Sequence, residues 1–237
     1  MKLIPTITTT PGSDWKGKID EINNLNIEEV AVFVTCLNEE ERKNLYSLIL
    51  RSRIKHIPFV HLRGDMKLSE LDYFIKKYNT QIFNLHSERE YAINPELRKY
   101  KNIICIENTP NFPFNEEEIG KWGGICLDFS HLENNQLLEE KEYKLNLEVI
   151  GKYPIRCNHI SAIKEKFMLG GEGKMYYSSH VLNSRGELDY LKKYPLNYFS
   201  DFCAIELNNK IKDQLEAIKY INSLFKAQEK QIKELGF

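Results

Sequence analysis

Residues 102–131 read NIICIENTPNFPFNEEEIGKWGGICLDFSH and contain one full repeat of the chain's pattern. An apolar run, Ile103-Ile104-Cys105-Ile106, ends on Glu107. A turn-rich and then helical stretch, Glu116–Lys121, follows it. A second apolar run, Ile125-Cys126-Leu127, ends on Asp128, and His131 comes three residues later. Strand, helix, strand with short connections is a βαβ unit with parallel strands. A carboxylate closing an apolar run is costly to bury alone, so two such ends in successive units ask for a common partner.

The same alternation runs outward in both directions. Strand-like runs occupy Leu3–Thr8, Glu29–Cys36, His56–Leu62, Gln81–His86, Asn102–Glu107, Gly124–Phe129, Ile155–Ile160 and Phe202–Leu207. Helical spacing fills Trp15–Leu25, Glu39–Arg53, Leu68–Tyr78, Asn94–Tyr100, Glu116–Lys121, Leu137–Lys152 and Arg185–Tyr194, and a final amphipathic helix spans Ile211–Leu235. Eight such units predict an α/β fold, a single (β/α)8 (TIM) barrel over residues 1–237; the length of 237 is close to the roughly 250 typical of that fold. No Pro/Gly/Ser-rich linker divides the chain. The longest irregular stretch, Ser161–Asn183, contains Gly170-Gly171-Glu172-Gly173-Lys174, but Met168 and Met175 stand where a phosphate-binding loop needs Gly and Ser/Thr. It is expected to be a mobile lid after the seventh strand, or a contact between subunits of a homo-oligomer.

Side-chain alternation supplies a check. Residues two before the strand-end candidates are Phe59, Asn84, Cys105, Cys126, Cys157 and Ala204; four are small, as a narrow barrel interior requires. The candidates themselves would then point inward at the C-terminal rim, where such barrels place their chemistry.

Composition narrows the classes of function. Net charge is −1, from 33 basic and 34 acidic residues, with no basic stripe for nucleic acid and no polybasic tail for a membrane. Nucleic acid is disfavoured rather than excluded, since bound divalent metal would itself supply positive charge. No apolar run approaches the 18 or so residues of a membrane span, and the N-terminus reads as a first strand. Five cysteines without a CxxC pair fit a reducing cytoplasm, and all read as small core residues.

Glu107, Asp128, His159 and Glu206 each lie at a strand end. Together they make a mixed O/N donor set suited to Zn, Mn, Co or Mg. The competing reading is buried carboxylates paired with barrel Arg or Lys. His61 and His86 end the third and fourth strands and are candidates for a second ion, whereas His56 reads as an ordinary surface or core residue. His131, Arg63, Lys164 and His180 are candidate substrate contacts. Arg63 could hold a phosphate or carboxylate in bidentate fashion or equally form a rim salt bridge, and a solvated side chain is the simpler reading of Lys164.

On these residues the chain resembles the xylose-isomerase-like TIM-barrel superfamily, which includes sugar isomerases and epimerases and the endonuclease IV group. The resemblance implies that Glu107, Asp128, His159 and Glu206 bind one divalent metal, with His131 of Asp128-x-x-His131 contacting substrate. His61 and His86 match the extra histidines of the endonuclease IV branch. Ser178-Ser179-His180 matches its later Asp-x-His motif except that Ser178 replaces the Asp. Serine is a poor metal donor, which counts against a third metal. The Arg that epimerases often carry after the seventh-strand His is absent, and Lys164 stands five residues on.

Two enzymatic readings follow. The first is a sugar or sugar-phosphate isomerase/epimerase, in which the metal stabilises an enediolate while Glu107 and Glu206 remove and return a proton. The second is a two-metal phosphoester hydrolase, with His61, His86 and Glu107 holding one ion. The remaining reading is a barrel that keeps the fold without the chemistry.

Overall fold

The computed structural model describes residues 1–170 and 173–234. Its strands are β1 (Leu3–Ile7), β2 (Ala31–Phe33), β3 (Phe59–His61), β4 (Ile82–Leu85), β5 (Ile104–Glu107), β6 (Ile125–Asp128), β7 (Ile155–Ile160), β8 (Ala162–Leu169), β9 (Met175–Ser179) and β10 (Cys203–Ile205). Eight of them close a ring in the order β1-β10-β7-β6-β5-β4-β3-β2, every pair parallel. This is the expected (β/α)8 barrel.

The helices are α1 (Trp15–Asn24), α2 (Glu39–Leu50), α3 (Leu68–Tyr78), α4 (Glu116–Ile119), α5 (Phe129–Leu138), α6 (Glu140–Ile150) and α7 (Ile211–Glu234). Their starts and buried faces follow from local chemistry. Asn38 caps α2 by accepting from the Glu40 and Glu41 amides at 3.0 Å, while Glu41 reaches back to the Asn38 amide. On α3, Leu71, Phe74 and Tyr78 share one buried stripe at helical spacing. The stretch expected as a helix at 94–100 is a 3-10 segment, Pro95–Ile103, and another, Arg185–Lys193, stands where the seventh unit's helix was expected.

The core has two shells. Outside the ring, helix stripes pack on residues such as Val32, Phe83, Ile104 and Leu127. Inside it, a separate cluster joins Ile4, Phe33, Phe59, Cys105, Cys126, Cys157 and Ala204. The inward parity read from the sequence is therefore correct, and Asn84 is fully buried on the same face.

Two expectations are corrected. Residues 161–183 are not an irregular loop: β8 and β9 form an antiparallel hairpin, with Ala162 opposite Ser179 and Leu169 opposite Met175. Gly171 and Glu172 of the glycine-rich stretch, and Leu235 at the expected end of the last helix, lie outside the described residues. The helix expected over 137–152 is α6, and a further helix that was not expected, α5, precedes it and starts directly at the end of β6. Among the described residues no helix is long and apolar enough to cross a membrane.

Candidate metal centre

Asp128 is both the last residue of β6 and the N-cap of α5. Its Oδ1 accepts from the His131 amide and the Ser130 hydroxyl, both at 2.8 Å. This is the N-cap geometry in which a carboxylate oxygen meets an orphan amide three residues on, and it gives the Asp-x-x-His spacing a physical basis. With Oδ1 engaged, Oδ2 is left buried and without a hydrogen-bond partner. Asn108 fixes the turn from the side, accepting from the Asp128 amide at 2.8 Å and donating to its carbonyl at 3.1 Å. The Asn108 carbonyl lies 2.9 Å from His131 Nδ1 and orients that ring.

Glu107 faces Cys126 across the β5–β6 register, and Asp128 faces His159 across β6–β7. Glu107 divides its carboxylate. Oε2 accepts from Asn84 Nδ2 at 2.7 Å and lies 2.8 Å from His61 Nε2. Oε1 turns toward His159 Nδ1 at 3.3 Å and His131 Nδ1 at 3.5 Å. His159 Nδ1 is also 3.3 Å from Glu206 Oε2 and 3.8 Å from Asp128 Oδ2. The ring packs against both Phe33 and Phe59, with centroids 4.5 and 5.5 Å away.

Ligand atoms of Glu107, Asp128, His159 and Glu206 all lie within 4.8 Å of one another. Asp128 Oδ2, Glu206 Oε2 and His159 Nδ1 are buried without hydrogen-bond partners. Among the described residues, no lysine or arginine nitrogen comes within 4.0 Å of any of the three carboxylates. The reading of carboxylates paired with barrel Arg or Lys therefore fails. Buried polar atoms converging on one point with no mutual hydrogen bonds fit a divalent cation. A second group, His61, His86 and Glu107, also converges within 4.8 Å. His61 Nδ1 lies 3.0 Å from the Leu62 carbonyl, the contact that presents the opposite nitrogen of a ligating imidazole.

In the metal-free protein the charges hold one another. Burial works against ionised Glu107, but His159 and His61 bring its carboxyl well below the usual range. Burial likewise opposes the His159 imidazolium, yet Glu107 and Glu206 raise its pKa well above 6.5. Burial, helped by Glu206 and Glu107, pushes Asp128 up. His159 is thus protonated at neutral pH, and its shift stabilises the metal-free fold fully below 6.5. That contribution is lost as pH rises through the raised value. Because a ligating imidazole must be neutral, ion uptake should release a proton, and apparent affinity should climb from pH 6.5 until His159 titrates. Calorimetric titration in buffers of different ionisation enthalpy measures that proton; zero release at pH 7 would overturn the combination of a protonated His159 in the metal-free protein and its ligation of the ion.

Two of the four candidate ligands, Glu107 and Glu206, line a cavity of about 600 Å³ together with His131, His86, His180 and Arg63 among others, while Asp128 and His159 are fully buried next to them. Four further sequence candidates, His86, His131, His180 and Arg63, thus share one space with Glu107 and Glu206. His86 Nε2 is 3.8 Å from Glu107 and burial lowers its pKa to about 4. His180 Nε2 is 3.8 Å from Glu206. Arg63 is at the mouth, with Nε 3.2 Å from Asp65, which is the rim salt bridge of the two readings offered for it. Lys164 is not brought to the cavity: its Nζ is spent on the Val181 carbonyl at 2.5 Å and on Glu187 at 2.7 Å. Glu90, Tyr91 and Thr109 line the same cavity and carried no strand-end signal in the sequence.

No protein-family model and no curated protein matches the chain. Among solved structures it is similar to one described as "Crystal structure of D-tagatose 3-epimerase-like protein", at 15% sequence identity and a TM-score of 0.47 over 98% of this chain and 100% of that one. Function is therefore read from the donor set itself.

Proposed function

We propose that this chain is a divalent-metal-dependent isomerase or epimerase of small polyhydroxy carbonyl compounds. The observation that supports it most is the convergence of Glu107, Asp128, His159 and Glu206, with three unpartnered buried atoms, beside a ligand-sized cavity that Glu107 and Glu206 line. One ion held by those four would supply Lewis acidity toward adjacent substrate oxygens.

The chain's own groups do the rest. Glu206 lines the cavity, and with Oε2 turned to the ligand cluster its Oε1, 3.8 Å from His180, is the oxygen placed to take a proton from carbon beside a carbonyl. Glu107, whose other oxygen is tied to Asn84 and His61, is the second carboxylate within reach for its return. His131, with Nδ1 against the Asn108 carbonyl, offers its other nitrogen to a substrate hydroxyl. His180 flanks Glu206 at the cavity wall.

The second reading, a two-metal phosphoester hydrolase, is favoured by the His61–His86–Glu107 group. Metals per chain in protein purified without tag or chelator separate the two. One Mn, Co, Zn or Mg, with turnover of ketoses or cyclitols that chelation abolishes, is the expected result. Two ions per chain with phosphoester cleavage would replace the isomerase reading. Neither ion nor turnover would leave a barrel without this chemistry.

A further inference from the structure

The wall above the metal centre has an unusual balance of charge for a site open to phosphorylated sugars. Asp65, Glu90, Glu107 and Glu206 bring carboxyls to the cavity, against a single guanidinium, that of Arg63. Arg63 is already engaged. Its Nε meets Asp65 Oδ1 at 3.2 Å and its Nη1 donates to the Thr35 carbonyl at 3.4 Å. The same Asp65 oxygen is held by buried Arg42 at 3.2 Å, which fixes it in place. An anion reaching Arg63 therefore meets a guanidinium whose charge an anchored carboxylate already offsets. A doubly charged ion among Glu107, Asp128 and Glu206 still leaves one negative charge uncompensated. A phosphate dianion entering this space gains no dedicated cation and meets like charge.

Glu90 has the opposite character. It lies one imidazole away from the centre, 3.6 Å from His86 Nδ1, while His86 Nε2 faces Glu107. Its side chain is mostly buried, it accepts the Thr109 hydroxyl at 3.1 Å, and among the described residues no lysine or arginine nitrogen lies within 4.0 Å of it. Tyr91 beside it stacks on the His86 ring with centroids 5.5 Å apart. A mostly buried carboxyl without a cation, on the wall of a cavity, is an acceptor for a ligand's hydrogen-bond donors.

We propose that the cavity selects an unphosphorylated polyhydroxy substrate, and that Glu90 determines this by binding a hydroxyl or ammonium group on the end of the substrate remote from the metal. The proposal rests on the isomerase reading of the centre. Anion exclusion and donor binding are two effects of the same side chain: a carboxylate here repels the phosphate and accepts from the group that replaces it.

Metal-loaded protein is titrated calorimetrically with a free ketohexose, its 6-amino-6-deoxy form and its 6-phosphate. The free and amino forms should bind at least tenfold more tightly than the phosphate. Glu90→Gln should bring the three affinities together and raise KM for the neutral form more than it lowers kcat. Glu90→Lys should favour the phosphate by at least tenfold. An amino form bound more tightly than the free sugar in wild type, and not in Glu90→Gln, identifies ammonium as the preferred donor; equal binding identifies hydroxyl. A wild-type preference for the phosphate, or a preference that neither variant moves, overturns this proposal alone. Failure of all three compounds to bind metal-loaded protein overturns the isomerase reading and this proposal together. Where Glu90→Lys does not fold, Glu90→Gln decides.

Discussion

Replacing His159 with alanine should reduce the metal content from one ion per chain to a trace and should also lower the thermal midpoint of the metal-free protein by roughly 6–20 °C. Both effects come from one position. His159 lies within 3.3 Å of Glu107 and Glu206 and 3.8 Å of Asp128, with no exposed surface. Removing it takes away the only nitrogen donor of the four-ligand set. It also leaves three buried carboxyls without the imidazolium they share. Breaking a buried ion pair by deleting one partner costs about 3–5 kcal/mol, and each kcal/mol is worth roughly 2–4 °C in a chain of this size. The loss should shrink at acid pH, where the stranded carboxyls take up protons. Elemental analysis and a thermal melt at pH 7 and pH 5 check the pair. A variant that keeps its ion and its melting point would remove His159 from the centre.

The barrel and most of its centre could be read before any coordinates because both depend on short-range regularities. Strand ends are marked by apolar runs, and a charge that closes such a run must be partnered. Glu107, Asp128, His159 and Glu206 each obey that rule, as do the inward residues Cys105, Cys126, Cys157 and Ala204 two places before them. Helix α5 escaped the reading for an equally physical reason. Ser130, Glu133, Asn134 and Asn135 on it are buried, so its buried face is polar and the usual apolar stripe is missing. Those groups are satisfied by tertiary partners: Asn134 Oδ1 accepts from the Tyr177 amide at 2.8 Å, Asn135 donates to the Pro110 carbonyl at 3.0 Å, and Tyr194 donates to Glu133 at 2.9 Å. The first of these ties α5 to the β8–β9 hairpin, which no local pattern announces. Glu90 was hidden differently. It sits in the connection after β4, where no periodicity says which way a side chain points; a turn at Ser87 brings it back beside His86, four residues earlier, and the closed ring sets that pair next to Glu107.

The two glutamates of the centre should both abolish turnover when changed to glutamine, but by different routes. Glu107 is fully buried, and its Oε2 already accepts from Asn84 and meets His61. An amide there either turns its NH₂ group against the Asn84 and His61 nitrogens or presents it to the ion. Each arrangement strands a buried donor at a cost of about 1–3 kcal/mol. Glu107→Gln should therefore lose metal and stability together. Glu206 carries no such cage. Its Oε2 has no hydrogen-bond partner and its Oε1 is 3.8 Å from His180 at the cavity wall. A glutamine there keeps a neutral oxygen for the ion and loses the base. Glu206→Gln should hold its fold and, at saturating metal, its ion, while turnover falls by roughly 10²–10⁴, the share that general acid–base catalysis contributes. Metal stoichiometry, melting point and initial rate on both variants test the distinction. Near-normal turnover in Glu206→Gln would take that residue out of proton transfer. Equal loss of metal in both variants would mean that Glu206 serves the ion first, and that the base must be sought elsewhere on the cavity wall.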